Sequence, residues 1–125
     1  MTAIAGLGID IVEVERIEQA LERWGAGFLA RLMDPDEIAG LPAGRPPLAV
    51  ADAVAVKEAV SKAIGTGWSG GVRWRDVVVS HQPAPSARLS GAALAAARRL
   101  GSAGGTEVRV EHRPGLVIAT ARLLA

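Results

Sequence analysis

The sequence predicts an α+β fold, and three stretches predict it. Ile4 to Val12 is a β-branched run interspersed with glycines, which reads as a strand. Leu48 to Ile64 is long, apolar and free of Gly and Pro after its start, which reads as a central helix. Glu107 to His112 and Leu116 to Leu123 flank R-P-G-L, whose Pro114-Gly115 pair suits a tight turn and so predicts an antiparallel hairpin.

The intervening elements follow in order. In V-E-R-I-E-Q-A-L-E-R-W, Val14, Ile17, Leu21 and Trp24 recur at helical spacing among charged residues, and Gly25 can end the helix. A short helix around Phe28 to Met33 leads to Asp34-Pro35-Asp36-Glu37. There an N-cap, a proline at the first position and a capping-box glutamate open another short helix. Pro42 to Pro47 is a loop, too short for a domain linker. Val72 to Ser80 reads as a strand, Gln82 to Pro85 as a turn and Ser90 to Leu100 as an alanine-rich helix closed by Gly101. At 125 residues, with no internal repeat, the expectation is a single domain over 1–125.

Composition narrows the function. The chain has one Phe, three Trp and no Tyr, so alanine and aliphatic side chains must build the core. A net charge of +1 with interspersed signs supplies no basic stripe, which argues against nucleic acid as a partner. The absence of Cys excludes thiol catalysis and cysteine-based zinc sites. No uncharged apolar run reaches membrane-spanning length and the N-terminus lacks a basic leader, so a soluble, unprocessed, cytoplasmic protein without a membrane partner is expected.

The chemistry-bearing residues fall in three places. On an extended Gly6 to Val12, Gly6, Gly8, Asp10 and Val12 share a face, leaving room beside the Asp10 carboxylate. The plain alternative is that the glycines mark a bulge or a close backbone crossing and that Asp10 caps the next helix. On the central helix, Ala49, Ala53, Val56, Val60 and Ile64 form one stripe, and Ala51, Ala55, Glu58, Ala59 and Lys62 lie opposite. An ordinary ion pair explains the spacing of Glu58 and Lys62. It does not explain the surrounding alanines, which suggest that a subunit or a ligand packs there. Gly65-Thr66-Gly67 then exposes backbone, and His112 ends a strand whose inward face is Val108, Val110 and His112. With only two His in the chain, any metal would be a hard ion held by carboxylates, and Mg²⁺ fits best.

Three patterns in this order resemble the small holo-acyl carrier protein synthase type of 4′-phosphopantetheinyl transferase. They are G-x-D-I-x-x-x-x-R-I at Gly8 to Ile17, K-E-A-x-x-K-A-x-G-T-G at Lys57 to Gly67, and the C-terminal strand, His, turn and strand. The resemblance continues through R-x-x-x-x-x-E at Arg31 to Glu37 and a glycine-led helix near Gly91. It implies an antiparallel sheet packed with a long central helix, assembled as a homotrimer with sites between subunits. The implied enzyme transfers 4′-phosphopantetheine from coenzyme A to a serine of apo-acyl carrier protein, in fatty-acid or polyketide biosynthesis. Asp10 and Glu58 would hold Mg²⁺, and Glu58 or a water on the metal would accept the serine proton. Lys62 would neutralise the leaving phosphate, Gly65 and His112 would border the nucleotide pocket, and Arg16, with Arg23 and Arg31, would meet acids on the carrier protein.

The chain departs from the family pattern where coenzyme A should be gripped. Ala53 stands where an arginine is usual, Pro83-Ala84-Pro85 where G-K-P is usual, and Arg109-Val110-Glu111-His112 where small hydroxyl residues precede the histidine. Strand alternation puts Arg109 and Glu111 on the face opposite His112, as an exposed pair. Two expectations follow: an active transferase with altered coenzyme A contacts, or a relative that binds a carrier protein or another ligand without transfer.

Overall fold

The computed structural model describes residues 3–44 and 46–125. Of the Pro42 to Pro47 loop, Arg45 therefore lies outside the described residues, as do Met1 and Thr2 of the N-terminus.

The first strand, β1 (Ile4–Glu13), runs directly into α1 (Val14–Trp24), which ends at Gly25. Two short helices follow, α2 (Ala26–Leu32) and α3 (Pro35–Ala39). The latter opens on the expected capping box: the Asp34 side chain accepts from Glu37 N, and the Glu37 carboxylate accepts from Asp34 N. The central helix α4 (Pro47–Ala63) comes next, with proline in its first turn.

Between α4 and the C-terminal hairpin the sequence was harder to read. The run from Val72 is not one strand, because the Asp76 carboxylate turns back to accept from Arg73 N at 2.9 Å and winds Trp74–Asp76 into a 3-10 turn. Only then does β2 (Val77–Ser80) begin. It pairs with β3 (Ser86–Leu89), a strand that the sequence reading did not foresee. Helix α5 (Gly91–Arg99) and the hairpin β4 (Thr106–Arg113) and β5 (Leu116–Leu124) complete the chain. Gly115 turns that hairpin at φ 72°, a conformation costly to any residue with a Cβ.

A three-stranded antiparallel sheet in the order β1-β5-β4 carries α4 on one face, and β2-β3 forms a separate ribbon. The sheet's inner face presents Val117, Ala119, Ala121 and Leu123 from its central strand, all buried. Helix α4 is buried almost all round, including Ala51, Ala55 and Ala59 on the face opposite its aliphatic stripe. For Ala59 the packing partner is the chain's own first strand. A Cβ on Gly6 would sit 1.8 Å from the Ala63 carbonyl oxygen, and one on Gly8 2.0 Å from that of Ala59. Glycine on the strand and alanine on the helix let the two backbones almost touch.

The close-crossing alternative for Gly6 and Gly8 is thus the observed one, but Asp10 does not cap α1. The residue preceding that helix is Glu13, whose side chain makes no capping bond. Trp24 also departs from the apolar stripe assigned to α1. It is 59% exposed, with the Arg23 guanidinium 5.1 Å above its ring. No helix among the described residues is long and apolar enough to cross a membrane.

Candidate active site at the strand–helix crossing

Because β1 and α4 approach so closely, the side chains at the edge of their contact are forced together. Asp10, one pleat beyond Gly8, meets Lys62 across 2.8 Å, and Lys62 Nζ also donates to the Ile9 carbonyl at 3.0 Å. Glu58 stands one helical turn before Lys62 and within electrostatic reach of both groups. Burial holds its carboxyl above the ordinary carboxylate range and the Asp10 charge adds to the rise, while the Trp68 N–H and the Lys62 ammonium oppose it. Three of the residues singled out from the sequence, Asp10, Glu58 and Lys62, are therefore brought together.

The remaining predicted site residues lie around this group or apart from it. Gly65 follows the C-terminus of α4, exposed, with φ 81°. His112 stands on the inner sheet face as expected, and its Nε2 is 2.7 Å from Asp52 Oδ1 on α4. Arg16 projects into solvent from α1, 3.8 Å from Glu13.

Asp52 escaped the sequence reading, although an acid alone in the apolar run L-A-V-A-D-A-V-A-V was a signal. Trp68 escaped it too. Its indole nitrogen is buried near the Glu58 carboxyl and makes no hydrogen bond. A buried N–H left in that state costs about 1–3 kcal/mol, so the contact is one the fold tolerates rather than gains from.

Next to Glu58 in the chain, Lys57 points the other way. It is wholly buried, and its ammonium meets the Glu37 carboxylate at 2.9 Å, the Trp74 carbonyl at 3.0 Å and the Val77 carbonyl. Burial lowers its pKa, and Glu37 offsets part of that effect. Glu37 also accepts from Val79 N at 2.9 Å, so this one pair ties α3, α4 and β2 together.

The departures from the family pattern also have positions. Ala53 is buried within α4, leaving no space for a longer side chain without repacking. Glu111 faces away from His112 and pairs at 2.9 Å with Arg113, rather than with Arg109 as alternation suggested. Its charge is therefore neutralised on the outer side of the sheet.

Two carboxylates and one ammonium at a strand–helix crossing suit phosphoryl transfer, where charge must be balanced rather than a carbon skeleton activated. A pair of carboxylates is also the donor set that suits Mg²⁺, which takes one or two from protein and fills its octahedron with water and substrate phosphate. Among the described residues no group of three or more His, Cys, Asp or Glu stands together that could hold a metal ion by itself.

The family model of the 4′-phosphopantetheinyl transferase superfamily matches residues 6–121. The chain belongs to that superfamily. It is similar to the holo-[acyl-carrier-protein] synthase of Nitratidesulfovibrio vulgaris, with 43% identity over 111 residues, 87% of this chain and 89% of the relative. The synthase of Halorhodospira halophila is 48% identical over 101 residues, 78% of this chain and 80% of the relative. In three dimensions the chain resembles the holo-[acyl-carrier-protein] synthase of Neisseria meningitidis, with a TM-score of 0.84 at 29% identity over 97% of this chain and 98% of that one. The Helicobacter pylori synthase, solved in complex with coenzyme A, gives 0.79 at 29% identity over 95% and 99%.

Proposed function

We propose that this chain is a holo-acyl carrier protein synthase, with Asp10, Glu58 and Lys62 as the reacting centre. It transfers 4′-phosphopantetheine from coenzyme A to a serine of apo-acyl carrier protein. The serine Oγ bonds to the phosphorus on the pantetheine side of the pyrophosphate. The bond from that phosphorus to the bridging oxygen breaks, and adenosine 3′,5′-bisphosphate leaves.

The observation that carries the reading is Glu58 beside the Asp10–Lys62 pair, its affinity for protons raised by burial. A carboxylate in that condition is better suited than an ordinary one to take the serine proton. Lys62, held by Asp10 and the Ile9 carbonyl, is a fixed ammonium for the oxygen that departs. Asp10 and Glu58 are the residues to hold Mg²⁺, which when bound supplies charge neutralisation for the pyrophosphate. His112, oriented by Asp52, and the exposed backbone at Gly65 are suited to the nucleotide end.

The partners follow from the same reading. The outer face of β1 leaves Ile4, Leu7, Ile9 and Ile11 exposed on an edge strand, a face that a second and third copy would cover in a homotrimer. Arg16 and Arg31 are solvent-facing cations on α1 and α2, suited to an acidic carrier-protein helix. The reaction belongs to the cytoplasm, where coenzyme A and carrier proteins of fatty-acid and polyketide type are met.

Incubation with apo-carrier protein, coenzyme A and Mg²⁺ is expected to add the phosphopantetheine mass to the carrier, and Glu58→Ala to abolish it. No mass shift at high enzyme concentration overturns the reading. Tight carrier binding without coenzyme A binding would turn it into the non-transferring alternative, which the missing cations at Ala53 and Ala84 favour and the outward-facing, paired Glu111 does not.

A further inference from the structure

The nucleotide end of the proposed site holds a histidine that is already engaged. His112 Nε2 lies 2.7 Å from Asp52 Oδ1, with the imidazole 47% and the carboxylate 20% exposed. Among the described residues His112 is the one ion-pair partner of Asp52. Apolar side chains frame the pair: Ala49, Ala55 and Val56 lie within a turn of Asp52 on α4, Val110 precedes His112 on the same strand face, and Val117 stands opposite it on β5. Arg109 and Glu111 alternate to the outer face, where Glu111 takes Arg113. Nothing cationic on these flanks offsets the Asp52 charge among the described residues except the imidazole itself.

A carboxylate only accepts, so the hydrogen that bridges the pair sits on Nε2, and Nδ1 is the nitrogen left for a ligand. In the neutral ring that Nδ1 is an acceptor; in the charged ring the carboxylate beside it cancels the charge. In neither state does the pair present net positive charge, and in the first it offers acceptors alone. Such a surface suits a hydroxyl, which donates, and repels a phosphate, which cannot. Coenzyme A carries a phosphate on its ribose 3′ oxygen, and its biosynthetic precursor form without that group carries a hydroxyl there. We infer, building on the function proposed above, that Asp52 is a specificity-determining residue which lets this chain take 3′-dephospho-coenzyme A as a donor of 4′-phosphopantetheine, with the 3′-hydroxyl at the His112–Asp52 pair. Ala53 and Ala84, at positions where the family pattern places cations, fit the same donor, because a hydroxyl needs no counter-charge. The bonds made and broken are those of the reaction above, and adenosine 5′-monophosphate leaves in place of the bisphosphate.

Transfer to apo-carrier protein with each coenzyme in turn decides the matter. On native protein, kcat/KM for 3′-dephospho-coenzyme A is expected to be at least about one fifth of that for coenzyme A, and a smaller value overturns the inference. Asp52→Asn keeps the side chain's size and removes its charge. It is expected to shift the ratio of the two kcat/KM values about tenfold towards coenzyme A. A merely structural Asp52 would move both values together, and an unchanged ratio also overturns the inference. Calorimetry needs no turnover: adenosine 5′-monophosphate and adenosine 3′,5′-bisphosphate should bind native protein within about fivefold of each other, and Asp52→Asn should shift the balance towards the bisphosphate. A native preference for the bisphosphate beyond fivefold counts against Asp52 in the same way. Transfer from coenzyme A alone leaves the proposed function standing and sinks this inference. If neither coenzyme is used, the proposed function fails by itself, and the two nucleotides still decide whether Asp52 sets the choice at the 3′ position.

Discussion

Lys57 and Glu58 are neighbours in the chain and opposites in the fold. Lys57 is turned inward with no exposed surface, and its three donors are taken up by Glu37, the Trp74 carbonyl and the Val77 carbonyl. Glu58 is turned to the strand crossing, half-buried beside another carboxylate, with one tryptophan N–H near it and not bonded. The first arrangement is complete and can only hold the structure together. The second has charge to spare, and reaction centres need such charge. A second pair sharpens the contrast: Lys62–Asp10 has the same 2.8–2.9 Å separation as Lys57–Glu37, yet its side chains are 50% and 17% exposed. Equal distance does not make equal roles, because water decides what each charge costs.

That comparison can be broken from either side. The largest effect is expected from Lys57→Met, which strands the buried Glu37 carboxylate and should cost about 3–5 kcal/mol in urea unfolding. Adding Glu37→Leu should recover part of the loss, and a single variant with native stability would show that Lys57 does not hold the fold. Gly8→Ala comes next. Its Cβ would meet the Ala59 carbonyl oxygen at 2.0 Å, so α4 must lift from β1 at a cost of about 3 kcal/mol, and transfer activity should fall with it as Asp10 and Lys62 separate.

Lys62→Ala is expected to split the two properties. Stability should change by less than about 1 kcal/mol because the pair is half in solvent. Activity should fall about 100-fold if the ammonium steadies the leaving phosphate. The smallest effect is the most diagnostic of Glu58. Burial raises its proton affinity above the ordinary 4.5, so the folded chain binds that proton more tightly than the unfolded chain does. Ionised Glu58 therefore costs stability at neutral pH, and the cost disappears as pH falls through the raised value to below 4.5. Glu58→Gln should melt slightly higher than native at pH 7, with the two curves converging at acid pH. A lower melting point at pH 7 would mean that the carboxylate is a structural asset after all.

Particular residues show where the sequence could be read and where it could not. The Asp34 capping box, the Gly25 helix end and the Pro114-Gly115 turn are local bargains between a side chain and the backbone beside it, and each was visible within four residues. Strand β3 was not, since S-A-R-L is too short to show a period and exists only because β2 pairs with it. The 3-10 turn at Trp74 interrupted an apparent strand because the Asp76 carboxylate outbid the sheet for the Arg73 N–H. In the site, residue type and order singled out Asp10, Glu58 and Lys62. Asp52 and Trp68 went unseen because the imidazole and the carboxyl near them are 60 and 10 positions away, across folds of the chain.

By itself the sequence determined the alternation of strand and helix, the family, and the kind of charge available at each candidate position, because these depend on side-chain chemistry and short-range periodicity. Only the tertiary structure decided which of two adjacent charged residues would be structural. Helix α4 could be turned so that Lys57 met Glu37 and Glu58 met Asp10 only once Gly6 and Gly8 had let β1 press against Ala59 and Ala63. That rotation is set by backbone contact between residues about fifty apart, and no local pattern specifies it.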